Sequence, residues 1–76
     1  MKIEKAFGVL LRELRTKAAF SQEQLAHDAG LDRTYISMLE RGLRQPSLKT
    51  IFAISKVLRT APSKLVAELE EKLREN

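Results

Sequence analysis

The chain has 76 residues, with 14 Lys and Arg against 10 Asp and Glu, a net charge of +4 and no cysteine. This length suffices for one domain, and the lack of cysteine excludes a disulfide framework and a thiolate metal site. The first residues are charged and periodic, and no run approaches the roughly 18 apolar residues that span a bilayer. We therefore expect a cytoplasmic protein that neither is exported nor enters a membrane.

The positive charge is unevenly placed. Residues 1–61 hold 11 Lys and Arg against 6 acidic residues, whereas residues 62–76 hold 3 against 4. The sequence pI is near 9.8. A basic domain favours an anionic partner such as nucleic acid, because binding releases the counterions that the phosphates hold. Charge alone does not identify that partner, since many basic proteins bind no nucleic acid.

Five helices are predicted, and the first runs from about Glu4 to Lys17. Its apolar residues recur at helical spacing and predict an inward-facing stripe, formed by Ile3, Phe7, Leu10, Leu11 and Leu14. Gly8 lies inside this helix, where glycine costs roughly 1 kcal/mol relative to alanine. This glycine indicates either a close approach of another backbone or bulky side chain, or a merely tolerated residue.

The second predicted helix is short. Ser21 followed by Gln24 resembles a capping box, in which each side chain bonds the backbone N–H of the other residue. The helix then runs from Gln22 to Ala29, and Gly30 ends it. Its apolar residues are expected to face the core.

The third predicted helix follows a tight turn. Asp32 is positioned to cap it, and the helix runs from Arg33 to Arg41 with Ile36 and Leu39 pointing inward. Two short helices joined in this way have the layout of a helix-turn-helix DNA reader. In such a reader the first helix braces against the phosphate backbone, and the second places its N-terminal side chains in the major groove.

The last two predicted helices begin at clear signals. Ser47 caps a helix from Leu48 to about Leu58, and Pro62 suits the first turn of a helix that runs to about Arg74. The fourth helix is expected to complete the core with Leu48, Ile51, Phe52, Ile54, Ser55 and Leu58. The fifth carries an apolar stripe that needs a cover, formed by Leu65, Val66, Leu69 and Leu73. We expect a second copy of the chain to cover it, and the alternative is intramolecular packing in a monomer.

Six segments form a recognisable pattern: LRELR (11–15), SQEQLA (21–26), Gly30, YISMLERG (35–42), PSLKTI (46–51) and the region from Leu58 to Leu65. Together they resemble the Cro/C1 repressor type, or XRE family, over roughly residues 5–66. The stretch LDRTYIS, followed by ERG and a Ser-Leu helix start, looks most like the controller proteins of bacterial restriction-modification systems. The resemblance implies an all-α, five-helix Cro/C1 repressor-like DNA-binding domain, with its helix-turn-helix at helices two and three. We expect a single domain over residues 1–76, in which residues 62–76 form a C-terminal helix that contributes to dimerisation.

The resemblance also implies which side chains read bases. These are Arg33, Thr34, Tyr35 and Ser37, with Met38 as a minor candidate. The Arg33 fork can bond guanine O6 and N7 together, a contact worth roughly 1–3 kcal/mol against a wrong base. Thr34 can place a methyl group against thymine, and Tyr35 can contact a phosphate, a sugar or a base. The alternative for Arg33 is a solvated surface pair with Asp32.

A second set of residues is expected to touch the phosphate backbone. Gln22 matches the first residue of the bracing helix, which in the family bonds a phosphate with its side-chain amide and backbone N–H. The full expected set is Ser21, Gln22, Arg41, Arg44, Gln45, Lys49 and Thr50. The family positions of Arg15 and Glu40 make a partly buried ion pair that ties the first helix to the recognition helix.

The chain departs from the family pattern at two corners. Ala19 stands where glycine is common, so we expect this corner to adopt a conformation that alanine permits. Arg59 and Thr60 replace a frequent glycine and apolar residue. These changes affect the placement of the last helix rather than the recognition half.

The predicted function is a sequence-specific transcriptional regulator that binds double-stranded DNA as a homodimer on a near-palindromic operator. No catalytic grouping, phosphate-binding glycine loop or metal-ligand cluster is present, so we expect no enzyme activity, cofactor, metal or small-molecule substrate. His27 is expected to be a surface residue. An antitoxin or other protein-interaction module with secondary DNA binding is the alternative, although the chain ends at Asn76 without a long toxin-wrapping tail. A membrane-surface role for the last helix is disfavoured by its acidic balance.

Overall fold

The computed structural model describes residues 1–75 as five α-helices. They are Ile3–Lys17 (α1), Gln22–Ala29 (α2), Arg33–Glu40 (α3), Leu48–Val57 (α4) and Pro62–Arg74 (α5). No strand occurs within these described residues. The all-α, five-helix prediction is confirmed. Asn76, the last residue of the predicted C-terminal segment, lies outside the described part.

One hydrophobic core joins all five helices. The α1 helix packs against α3 and α5, α2 packs against α3 and α4, and α4 packs against α5. The largest fully buried apolar side chains come from every helix: Phe7, Leu11, Leu25, Ile36, Leu39, Ile54 and Leu65. Since each helix contributes an apolar stripe to the interior, the helical spacing of the sequence accounts for this core.

Gly8 marks the closest approach of α1 to α3. A Cβ atom at this position would lie 2.5 Å from the Glu40 carbonyl oxygen and 2.6 Å from that of Leu39. Both distances are far shorter than van der Waals contact, so only a residue without a side chain fits without movement of the backbone. The close-approach explanation of this glycine is therefore confirmed.

Four helices end in the same closed turn, with one residue in the left-handed conformation. Gly30 and Gly42 supply it with φ of 71° and 75°, but Ala19 and Arg59 also adopt φ of 63° and 54°. At both non-glycine corners the backbone makes the two hydrogen bonds of a Schellman motif, with Phe20 N–H donating to Arg15 O at the first corner. The expectation that Ala19 would avoid a conformation unfavourable to alanine is wrong. The chain keeps the closed turn and accepts a cost of about 1–2 kcal/mol at each site.

The two predicted serine caps are present, whereas the predicted aspartate cap is not. Ser21 accepts the Gln24 N–H at 3.0 Å, and the Gln24 side chain accepts the Ser21 N–H at 2.9 Å, which completes the capping box. Ser47 accepts the N–H of Thr50 at 3.0 Å. Asp32 occupies the N-cap position of α3, but within the described chain its carboxylate makes no cap hydrogen bond.

The outer face of α4 differs from the sequence prediction. Leu48 is 77% exposed and Phe52 is 61% exposed, so neither contributes to the core wall as expected. The packed side of α4 is formed by Ile51, Ile54 and Leu58. Because each residue rotates about 100° around a helix, Phe52 lies about a third of a turn from that side. The helix therefore presents apolar surface both inward and outward.

Candidate nucleic-acid interface

The side chains at the start of α3 are exposed, whereas the opposite side of the helix is packed against the core. Ile36 and Leu39 are fully buried and hold α3 against the core. Arg33 and Thr34 are exposed at its first turn. Tyr35 and Ser37 are partly exposed further along, so all four predicted base-reading side chains lie on one short helix, outside the core. Met38 is also partly exposed.

A hydrogen-bonded network fixes α3 relative to α1 and α2. The Arg15 Nε donates to Glu40 Oε2 at 2.6 Å and its Nη2 donates to Glu40 Oε1 at 3.1 Å. Gln22 Nε2 also donates to Glu40 Oε1, at 3.0 Å, and Arg15 Nη1 donates to the Phe20 carbonyl at 2.8 Å. The Glu40 side chain is almost completely buried. The ion pair implied by the family resemblance is present, and it is one part of a larger network.

The contact between Gln22 and Glu40 was not predicted from the sequence. Gln22 was expected to donate its side-chain amide to a phosphate, but one amide N–H is held by Glu40. A primary amide has two N–H donors, so the two contacts are compatible. The i to i+18 separation of these residues offers no local sequence signal, and only the packing of α2 against α3 brings them together.

Most of the predicted phosphate-contacting residues are on the surface. Ser21, Arg41, Arg44, Gln45 and Lys49 are exposed. They lie at the N-terminal end of α2, in the segment between α3 and α4, and on the first turn of α4. Hydrogen-bond donors therefore occur in the chain both before the helix-turn-helix, at the start of α2, and after it, following α3.

Two of the exposed residues already have partners. The Arg44 guanidinium lies over the Tyr35 ring, 5.7 Å from its centroid. Gln45 Nε2 donates to Glu4 Oε2 at 2.7 Å and so connects the loop after α3 to the first turn of α1. This hydrogen bond, followed by backbone hydrogen bonding, lowers the pKa of the Glu4 carboxyl from its ordinary value.

Thr50 was predicted to contact a phosphate, but its side chain is buried. It is only 6% exposed, because its side chain turns toward α3. Its hydroxyl accepts a hydrogen bond from Ser47 and lies 3.4 Å from the hydroxyl of Tyr35. The helical position was correctly placed near the interface, but the side chain faces the protein.

A basic cleft next to the recognition helix was missed. Lys5 and Arg12 of α1 line it together with Arg41, and the carboxylates of Glu13 and Glu40 lie in the same lining beside Val9 and Leu43. The signal in the sequence was the spacing of Lys5 and Arg12, which places both on one outer face of α1. Three cations therefore lie near the end of α3, with one more cation than carboxylates in the lining.

The predicted dimer interface on α5 is largely wrong, because most of its residues are buried within the protomer. Leu65 is only 1% exposed and Leu69 is also buried, because both pack into the protomer's own core. Leu73 is partly buried against the same core. Of the predicted interface residues, only Val66 is exposed. We use the name apolar face for the exposed side chains of the two adjoining helices, Leu48 and Phe52 on α4 and Val66 on α5.

Other site types receive no support from the described residues. Within residues 1–75 there is no group of three or more His, Cys, Asp or Glu that could hold a metal ion. His27 is exposed, with Nδ1 3.3 Å from an Asp28 oxygen. None of the helices described is both long and apolar enough to span a bilayer.

The sequence matches the family described as Helix-turn-helix over residues 11–65. Control protein C.BamHI of Bacillus amyloliquefaciens is 48% identical over 61 residues, which are 79% of this chain and 75% of that protein. Control protein C.SmaI of Serratia marcescens is 39% identical over 66 residues, covering 87% of this chain and 79% of that protein.

Solved structures show the same similarity. The restriction-modification controller protein C.AhdI from Aeromonas hydrophila superimposes with a TM-score of 0.79 at 45% identity, covering 82% of this chain and 94% of that one. The restriction-modification controller protein C.Esp1396I, solved as a tetramer in complex with its natural 35-base-pair operator, has a TM-score of 0.84 at 28% identity and 95% coverage of both chains.

Proposed function

This chain belongs to the Cro/C1-type helix-turn-helix family, and from that premise we propose that it is a transcriptional regulator of the restriction-modification controller kind, which binds specific duplex DNA as a homodimer. The observation that carries the proposal is the start of α3. Its polar side chains project from a helix whose other side is fixed by buried Ile36 and Leu39 and by the bonds to Glu40. A rigid helix with free N-terminal side chains is the element that enters a major groove.

Base recognition is assigned to Arg33, Thr34, Tyr35 and Ser37. Arg33 bonds guanine O6 and N7 with its two parallel donors, and the Thr34 methyl packs against a thymine methyl. Tyr35 and Ser37 lie further along the same helix and contact an adjacent base or the backbone. Together they supply sequence information.

Phosphate contacts hold the recognition helix in register. We assign them to Gln22, through its second amide N–H, and to exposed donors on both sides of α3: Ser21, Arg41, Arg44, Gln45 and Lys49. These contacts carry no base information and are weakened by salt. Arg41, Arg44 and Lys49 are three of the 11 Lys and Arg in residues 1–61.

The apolar face is proposed to be where two copies meet. Leu48 and Phe52 are large and exposed, and an apolar surface of this kind is stabilised when a partner removes it from water. A two-fold axis through this face would present two recognition helices. Spaced by about 34–36 Å, these helices would meet successive major grooves on one side of the duplex, so the operator would be a near-palindrome.

The regulator acts by occupying DNA in the cytoplasm and carries out no bond chemistry in this proposal. A protein-interaction module, such as an antitoxin, would use the same apolar face for a different protein. The two functions differ in the partner that Phe52 contacts. If the chain is a homodimer, the isolated chain should self-associate. If it is an interaction module, the isolated chain should stay a monomer until its target protein is added.

Selection of bound duplexes from random DNA tests the proposed function. We expect the purified chain to enrich two inverted half-sites whose centres are about one helical turn apart. Sedimentation at micromolar concentration is expected to give the mass of two chains. Enrichment of no sequence would contradict specific recognition, and a single-chain mass both free and on DNA would contradict the dimer.

A further inference from the structure

Three hydroxyl groups form a line from the start of α4 to the recognition helix. Ser47 accepts the N–H of Thr50 at 3.0 Å, and its own hydroxyl donates to Thr50 Oγ1 at 3.0 Å. Thr50 Oγ1 lies 3.4 Å from the hydroxyl of Tyr35. This last distance is longer than that of most hydroxyl pairs, so the hydrogen bond between Thr50 and Tyr35 is a weak one.

Burial decides the direction in which these hydroxyls donate. Thr50 is 6% exposed, and its oxygen already accepts the Ser47 proton. The proton of Thr50 therefore needs an acceptor inside the protein, and the oxygen of Tyr35 is within reach. If Tyr35 donated instead, the buried proton of Thr50 would lose that acceptor, which is unfavourable. Tyr35 thus accepts from Thr50 and keeps its own proton for a group outside.

The ring of Tyr35 is restrained from a second side. The Arg44 guanidinium lies 5.7 Å from the ring centroid, a distance at which a cation is attracted to the face of an aromatic ring. Contact at the hydroxyl end and on the ring face together limit rotation of the side chain. The Tyr35 hydroxyl consequently has both a preferred position and a preferred hydrogen-bonding role.

We propose that Thr50 is a positioning residue that makes Tyr35 a hydrogen-bond donor toward DNA, so that the protein selects an acceptor at the atom that Tyr35 meets. This inference rests on the proposed DNA-binding function. The acceptor is a phosphate oxygen or a base-edge acceptor such as guanine O6, guanine N7 or thymine O4. The exocyclic amines of cytosine and adenine are donors and are disfavoured there.

The test measures the affinity of four variants for the selected operator: Tyr35→Phe, Thr50→Val, Thr50→Ser and the double change Thr50→Val, Tyr35→Phe. Valine keeps the shape of threonine and removes the hydroxyl, whereas serine keeps the hydroxyl. We expect Tyr35→Phe and Thr50→Val each to weaken binding about threefold to tenfold. Thr50→Ser should bind like the parent, and the double variant should be no weaker than Tyr35→Phe.

Two further measurements identify the acceptor. The first uses a panel of operators that each carry one base substitution. If the acceptor is a base, Thr50→Val and Tyr35→Phe should both lose discrimination at the same operator position. The second replaces individual phosphates by neutral methylphosphonates. If the acceptor is a phosphate, replacement of that one phosphate should abolish the difference in affinity between the parent and both variants. A merely structural role of Thr50 would weaken all operators equally and change neither pattern.

Ser55 provides the matched control. Its hydroxyl is fully buried on the same helix and has no hydrogen-bond partner among the described residues. Ser55→Ala should therefore leave operator affinity and the base panel unchanged. Circular dichroism melting of each variant establishes that it is folded at the temperature of the titration. If Thr50→Val does not fold, Thr50→Ala carries the same test, since alanine also lacks the hydroxyl and favours helix.

The outcomes separate the two proposals. A parent chain that selects no DNA overturns both the proposed function and this inference. A parent that binds specifically, with Thr50→Val binding and discriminating as the parent does, overturns the inference alone. Fully additive losses in the double variant also overturn it, because Thr50 would then act independently of Tyr35.

Discussion

The α2–α3 half and the α4–α5 half of this molecule expose different chemistry. At the first, polar and cationic side chains project from helices held by buried apolar residues and the bonds to Glu40. At the second, large apolar side chains such as Phe52 remain exposed outside the core. A charged surface suits a hydrated polyanion, whereas an apolar surface suits another protein chain. This difference is the basis for proposing separate sites for DNA and for a second copy of the chain.

The largest expected effect concerns the attachment of the recognition helix. Glu40→Ala removes the buried partner of Arg15 and Gln22, and we expect a loss of about 3–5 kcal/mol in the free energy of unfolding. Arg15→Ala combined with Glu40→Ala should be little worse than the single Glu40 change, because no unpaired arginine remains. Urea denaturation of Glu40→Ala, Arg15→Ala and the double variant measures this cycle. Strictly additive losses would show that the two side chains do not act as a pair.

The next prediction separates core from interface on α4 and α5. Leu65→Ala should lower the free energy of unfolding by about 2–5 kcal/mol, because it leaves a cavity in the protomer's core. Phe52→Asp should instead shift sedimentation toward a single-chain mass while the isolated protomer stays folded. Leu43 is also exposed but lines the cleft with Lys5 and is not part of the apolar face, so Leu43→Asp offers a control. A dimer that survives Phe52→Asp unchanged would move the interface elsewhere.

The closed turns supply a smaller, stabilising change. Ala19→Gly and Arg59→Gly should each raise the free energy of unfolding by about 1 kcal/mol, since glycine adopts positive φ without a steric penalty. Ala18→Gly is the matched control, because Ala18 has a φ of −83° and gains nothing from glycine. Thermal melting ranks the three. Destabilisation by Ala19→Gly to the same degree as by Ala18→Gly would contradict the strain at this corner.

The smallest effect is a dependence of stability on pH through Glu4. Its pKa is lowered in the folded protein chiefly by the hydrogen bond from Gln45. A carboxyl whose folded pKa is lowered contributes stability above its unfolded pKa, and that contribution is lost as the pH falls through the folded pKa. The window therefore lies below the ordinary Glu value of 4.5. NMR titration of Glu4 should give a higher pKa in Gln45→Ala than in the parent, and equal values would exclude this cause.

The sequence predicted the recognition half more completely than the other half. The capping pattern at Ser21 and the glycine at position 30 are local signals, and they correctly place α2, the turn and α3. The side chains of Arg33 and Thr34 were correctly expected on the surface. Local hydrogen bonding and helical spacing are sufficient for such features because they depend on residues only three or four apart.

Features that depend on packing between distant segments were predicted less well. Leu48 and Phe52 were assigned to the core, and Leu65 and Leu69 to a dimer interface, yet the structure reverses both assignments. An apolar residue beside the main stripe of a helix can face either a core or a partner, and spacing alone does not distinguish them. The inward side chain of Thr50 also depends on a distant residue, because its hydroxyl lies beside that of Tyr35 on another helix.

The most direct test of the account is the base preference of Arg33→Ala on the selected operator, compared with Lys64→Ala, which removes one exposed cation from α5. We expect the parent to prefer guanine about fivefold to 150-fold at one position of each half-site, and Arg33→Ala to lose that preference. Lys64→Ala should retain it. If Arg33→Ala still discriminates that guanine as the parent does, the assignment of the α3 N-terminus as the base-reading surface is contradicted.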